Sequence, residues 1–225
     1  MQSRLVSRPN RFTHRAIASA VLAATLVLGA CSSTEGSGDT AITEEYADLN
    51  GATTSSGQQY LDVNLEDDHV FTALSEDEAV DFLRTGTGVI YFGFPECPWC
   101  RAAMPVMDEA AKNVDLEQIQ YLNVLDIRDT RSLSEDGTVV IEEPGTDAHA
   151  DILAELGDFA PEYEGLDDPT QRRIYVPLVV AVKDGEAIDS HVSTVASHAD
   201  PFEPMTDEQH AELVGIYEDL FTQAQ

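Results

Sequence analysis

Cys97-Pro98-Trp99-Cys100 is a pair of thiols two residues apart. At the start of a helix this spacing brings both sulfurs within bonding range of each other. The first cysteine then sits where unpaired backbone N–H groups and the helix dipole favour an anion. Sites of this kind lower a thiol pKa from about 8.5 to roughly 3.5–7.5, and the thiolate is the nucleophile. Cys97 is therefore expected to attack, and Cys100, one turn in and more buried, to resolve the mixed disulfide. Pro98 suits a first helical turn, where its missing N–H costs nothing. Trp99 would shield the site and offer substrate an apolar contact. Two other readings of the pair stand beside this one. Half a zinc site would need two more ligands; there is no second cysteine pair, and His69, His149, His191, His198 and His210 are scattered without ligand spacing and read as solvated surface, so no metal is expected. A permanent structural disulfide would close so short a loop that it gains little entropy, which favours redox work.

The flanking sequence supplies the positioning elements. Val89-Ile90-Tyr91-Phe92 is an apolar run bounded by glycines, which suits a strand buried on both faces. It leads straight into the cysteine turn, and a helix with Met104, Met107, Ala110 and Ala111 on one stripe follows, with Pro105 expected to kink it. Before the pair, Asp68–Ala73 reads as a short strand, and Ser75-Glu76-Asp77-Glu78 as the capping box of a helix ending near Gly86. After it come a strand at Ile119–Ile127, a long polar excursion over Arg128–Arg173 with a helix at Asp147–Phe159, and a buried strand at Ile174–Val182. Asp184-Gly185 then marks a two-residue hairpin turn, Ala187–Val195 the returning strand, and Thr206 the cap of a final amphipathic helix. The alternation predicts an α/β fold with a central mixed sheet and helices on both faces.

The 225-residue chain carries 42 acidic and 12 basic residues, a formal charge of -30. That balance argues against nucleic acid, whose phosphates require Lys and Arg. The N-terminus is the exception: Arg4, Arg8, Arg11 and Arg15 precede any acid, and an apolar run over Ala16–Leu28 follows. The run falls short of the about 20 residues of a spanning helix and has the layout of a secretory signal. Its end, Leu28-Gly29-Ala30-Cys31, resembles the bacterial lipobox, in which the signal is cut before a cysteine that receives lipid. That likeness implies a leader over 1–30, lipid on Cys31 and a mature chain held at the outer face of a bacterial cell membrane. Such a compartment permits disulfides, and Cys97 and Cys100 become its sole free pair. Residues 31–60 are rich in Ser, Thr and Gly and read as a flexible tether, leaving a domain over 61–225.

Beyond the dithiol, the chain resembles the thioredoxin superfamily. The strand–Cys97-Pro98-Trp99-Cys100–helix order, Pro105 five residues after the second cysteine, and Val176-Pro177-Leu178 with the hairpin after it carry the likeness. It implies a thioredoxin-like three-layer fold with an insertion, 128–173, before the strand headed by a cis-proline. It also implies that Val176 and Pro177 line a substrate groove with Pro98 and Trp99. The implied activity is thiol–disulfide oxidoreduction with protein thiols or disulfides of the cell envelope and a redox partner, requiring no cofactor; the alternative is a binding lipoprotein with a structural disulfide. The YFG-x-x-x-CP-x-C wording of Tyr91–Cys100 is similar to bacteriocin-transport accessory proteins of the same superfamily. Departures are visible too: Glu96 stands where thioredoxins have Trp, and Tyr91 where they have a buried Asp that assists proton transfer. Glu96 would oppose the Cys97 thiolate and Arg101 would favour it.

Overall fold

The computed structural model describes residues 39–225; the expected leader and Cys31 lie outside them. Among the described residues the elements run α1 (Thr40–Ala47), β1 (Phe71–Ala73), α2 (Glu76–Thr85), β2 (Gly88–Gly93), α3 (Pro98–Asn113), β3 (Ile119–Asn123), β4 (Thr130–Leu133), β5 (Val139–Glu143), α4 (Asp147–Leu156), β6 (Leu178–Lys183), β7 (Glu186–Val192) and α5 (Asp207–Ala224). A five-stranded sheet in the order β1-β3-β2-β6-β7 forms the centre. β1, β3 and β2 are parallel, and β6 and β7 run antiparallel to their neighbours. β2 lies in the middle because its side chains allow it: Val89, Ile90, Tyr91 and Phe92 are all fully buried, as a strand covered on both faces requires. α3 packs with α5, and α2 with α4, so the sheet is flanked by helices.

The expected strands shorten where the backbone cannot pair. The run expected to begin at Ile174 starts as β6 only at Leu178, because Pro177 has no N–H to give a ladder. β3 stops at Asn123, whose side chain accepts from the Leu125 N–H at 3.0 Å and turns the chain. The hairpin turn is as expected, with positive φ at Asp184 (53°) and Gly185 (79°). α3 runs through Pro105 as one element.

Two expectations need correcting. The tether through residue 60 does not hold from Asp39 onward. α1 buries Ile42 and Tyr46, and the following segment is tied down by Asn50, which donates to the Val63 carbonyl (2.9 Å) and accepts from its N–H (2.8 Å). Polar composition undervalued two large buried side chains and an Asn that pairs with backbone on both sides. Nor are the histidines all solvated, since His69, His149 and His198 are buried. The 128–173 excursion is built rather than loose: it contains the antiparallel hairpin β4–β5, which the sequence did not announce, and α4, which Arg84 of α2 holds through Asp151 (3.0 Å) and Glu155 (2.7 Å).

Candidate functional site

The turn between β2 and α3 delivers the dithiol. Cys97 is the N-cap of α3: its Sγ accepts from the Cys100 N–H at 3.4 Å, the role usually filled by Ser or Asp. Its own N–H returns to the Phe94 carbonyl (3.2 Å), which closes the turn, and Pro98 occupies the first helical position. Both cysteines are free thiols. Cys97 keeps 7% of its surface exposed and Cys100 none.

The two sulfurs have opposite electrostatics. The Cys97 thiol is held below its ordinary pKa, first by a hydrogen bond from the Cys100 side chain, against the opposing effect of burial; the Cys100 and Trp99 N–H groups and the Arg128 guanidinium add to the lowering. Cys100 is pushed well up, first by burial and then by its interaction with Cys97. A thiolate on Cys97 beside a neutral thiol on Cys100 is the arrangement in which one sulfur attacks and the other waits.

The expected groove residues gather at the same place. The Val176–Pro177 bond is cis, and the Val176 carbonyl faces Cys97 Sγ at 3.6 Å. Pro177 is buried and Val176 half-buried. Trp99 is half-buried, its ring edge-on to His198 at 5.4 Å. His198 is fixed from both sides, donating through Nε2 to the Glu203 carbonyl (3.0 Å) and pairing through Nδ1 with Thr194 Oγ1 (3.0 Å).

Arg101 does not serve the thiolate as expected. Its guanidinium is 1% exposed and turned into the protein, donating to the carbonyls of Leu61 (2.7 Å), Tyr46 (2.9 Å) and Pro95 (3.4 Å) and to Asn50 Oδ1 (2.6 Å). Arg128, from the start of the excursion, faces the sulfurs instead; its Cζ lies 4.7 Å from the centre of the Phe94 ring. Glu96 is exposed.

Behind Cys100 lies a cluster that the sequence signals only at Tyr91. The Tyr91 and Tyr46 hydroxyls are 2.9 Å apart and fully buried, and Tyr121 packs on both rings at 5.3 and 6.1 Å. The Tyr91 hydroxyl favours the Cys100 thiolate, in opposition to burial. Gly93 makes the room: a Cβ there would overlap the Tyr91 phenol. Tyr46 arrives from α1, so the segment read as tether furnishes part of the site. No periodicity or motif marks Arg128 or Tyr46; only the paucity of arginines in so acidic a chain could have drawn attention to the former.

Among the described residues no group of histidines, cysteines and carboxylates is placed to hold a metal ion, and no helix is long and apolar enough to cross a membrane. No protein-family model and no curated protein matches this chain. Solved structures do align with it. One is thioredoxin O2 from Arabidopsis thaliana in its oxidised state, 18% identical, with a TM-score of 0.37 over 68% of this chain and 96% of that one.

Proposed function

We propose that this chain is a thiol–disulfide oxidoreductase that exchanges disulfides with protein substrates through Cys97 and Cys100, at the outer face of a bacterial membrane to which lipid on Cys31 anchors it. The observation that carries the reading is the asymmetry of the pair: a thiol with lowered pKa capping a helix, beside a fully buried thiol whose pKa is raised. In the reducing direction the Cys97 thiolate attacks one sulfur of a substrate disulfide. A mixed disulfide forms, and the other substrate sulfur leaves as a thiolate and takes up a proton. Cys100 then loses its proton and displaces the substrate from Cys97, so that the Cys97–Cys100 disulfide forms and a second substrate thiol is released. Two electrons and two protons pass from the dithiol to the substrate. An oxidised pair runs the same steps in reverse. Pro177 and Val176 would hold the substrate backbone across the sulfurs, and Trp99 would cover them.

The near-complete burial of Cys97 favours a second reading, a binding lipoprotein in which the pair is locked as a structural disulfide. A Cys100→Ser variant decides between them: mixed disulfides accumulating on Cys97, seen by mass spectrometry, support exchange. No such adduct, together with a wild-type disulfide that resists mild reduction, would leave the binding reading. The reduction potential then assigns direction, since about 30 mV is a tenfold change in equilibrium for a two-electron couple.

A further inference from the structure

The cationic residues of this chain are few, and almost all are spoken for. Of the 12, Arg4, Arg8, Arg11 and Arg15 precede the described residues. Arg84 pairs with Asp151 and Glu155, Lys112 with Asp68 and Asp108, Arg131 with Asp129, and Arg172 with Asp158. Arg101 is saturated by carbonyls and Asn50, and Lys183 is exposed at the far hairpin. Arg128 and Arg173 remain. Neither meets a carboxylate among the described residues, although all but one of the 42 acidic residues lie within that part of the chain.

Both are half-buried, and Arg128 acts on Cys97. Arg128 stacks on Phe94, whose carbonyl closes the cysteine turn, and its Nε is buried with no hydrogen-bond partner. Arg173 lies three residues before the carbonyl that faces Cys97; its Cζ is 4.7 Å from the Tyr163 ring centre and 5.6 Å from that of Tyr175, and it donates to the Tyr163 hydroxyl. The aromatic faces hold the two guanidiniums flat without neutralising them. A buried donor left unpaired is costly, and a planar guanidinium is suited to grip a carboxylate through two parallel bonds. Arg128 acts on Arg173 on one side and on Cys97 on the other, which links Arg173 to the dithiol through Arg128.

We infer that Arg128 and Arg173 form a carboxylate-docking site beside Cys97, so that the disulfides this protein prefers carry a carboxylate next to the reacting sulfur. The inference rests on the exchange reading above and names its substrate class. It also gives the long excursion a purpose. Arg128 at its beginning is brought to the sulfurs and Arg173 at its end to Arg128, and Tyr163 between them is brought to the face of Arg173. The overall acidity does the rest of the selecting, since it repels anions from the surface away from these two guanidiniums and exposed Lys183.

The test compares two small disulfides on reduced full-length protein: the dianionic 5,5′-dithiobis(2-nitrobenzoate) and the neutral 4,4′-dithiodipyridine. Any loss of thiolate character in a variant slows both reagents alike, so the ratio of their rates isolates docking. Arg128→Gln and Arg173→Gln should each lower the anionic-to-neutral ratio about tenfold, the order expected for one charge-assisted hydrogen bond, while Arg172→Gln, whose partner is Asp158, should leave it unchanged. A ratio that is the same in wild type, Arg128→Gln and Arg173→Gln overturns the inference. Failure of Cys97 to react with either reagent in the Cys100→Ser variant overturns the exchange reading itself. A second pair of arms finds the source of the carboxylate: peptide disulfides with Glu or Gln beside the cysteine, and glutathione disulfide or its ethyl ester. Preference for the acid in either arm supports the site and names its ligand; preference in neither overturns it.

Discussion

The two sides of the dithiol are made on opposite principles. Behind it, α1 and the segment to Val63 close over α3, and the buried charge is satisfied: Arg101 spends its donors on three carbonyls and Asn50, and Tyr46 pairs with Tyr91. In front, the excursion brings Arg128 to the sulfurs and Arg173 to Arg128, and leaves both without a counter-charge among the described residues. A saturated guanidinium in a closed wall contributes to stability, and an unsaturated one at a mouth is available to a ligand and to the thiolate. Substitutions behind should therefore move unfolding without moving the titration of Cys97, and substitutions in front should do the reverse.

The largest effect belongs to Arg101→Ala. Removing the group that joins Tyr46, Leu61, Pro95 and Asn50 strands buried carbonyls and frees the segment from α1 to Val63; urea unfolding should show a loss of roughly 3–4 kcal/mol. Gly93→Ala forces the Tyr91 ring from its slot and should cost about 2–3 kcal/mol as an overpacked core. Tyr46→Phe removes one hydroxyl of the buried pair and should cost about 1–2 kcal/mol. In all three, the pH midpoint of Cys97 alkylation, followed by mass mapping on the reduced protein, should stay where it is in wild type; a large shift would break the distinction between the two sides.

Arg128→Gln is the smallest in stability, within about 0.5 kcal/mol, and the one that moves the midpoint. Cys97 has a lowered pKa, so its thiolate exists above the folded value and alkylation falls as pH drops through it. Without Arg128 the midpoint should rise, modestly because the charge is half-exposed and screened. The same lowering means that reduced Cys97 adds stability fully above the unfolded thiol value of about 8.5, and that this contribution is lost as pH falls through the folded one. The variant should flatten that slope.

Much of this was readable along the chain. The β2 run, the Cys97 cap, the capping box at Ser75, the Asp184-Gly185 turn and the cap at Thr206 are local signals, each requiring a particular residue at a particular place, and each lies where expected. The errors share one cause. Residues 39–60 read as tether because composition averages over Tyr46, Asn50 and Ile42, whose burial depends on partners as distant as Tyr91 and Arg101. The β4–β5 hairpin is hidden because β4 is short and polar and β5, although it opens Val139-Val140-Ile141, is mostly exposed, and neither has the apolar alternation that marks a half-buried strand.

The Cys97–Cys100 pair shows the division most clearly. Its existence, its order and its seat at a helix start follow from four consecutive residues and the strand before them, because capping and helix polarity act within one turn. Which charge attends the thiolate does not follow. Adjacency nominated Arg101, one residue past Cys100, yet a helix points neighbouring side chains about 100° apart, and that rotation turns Arg101 inward to the carbonyls of another segment. Arg128, distant in sequence, reaches the sulfurs, and Arg173 reaches Arg128, because the sheet order places the start of the excursion after β3 and its end before β6, on either side of β2.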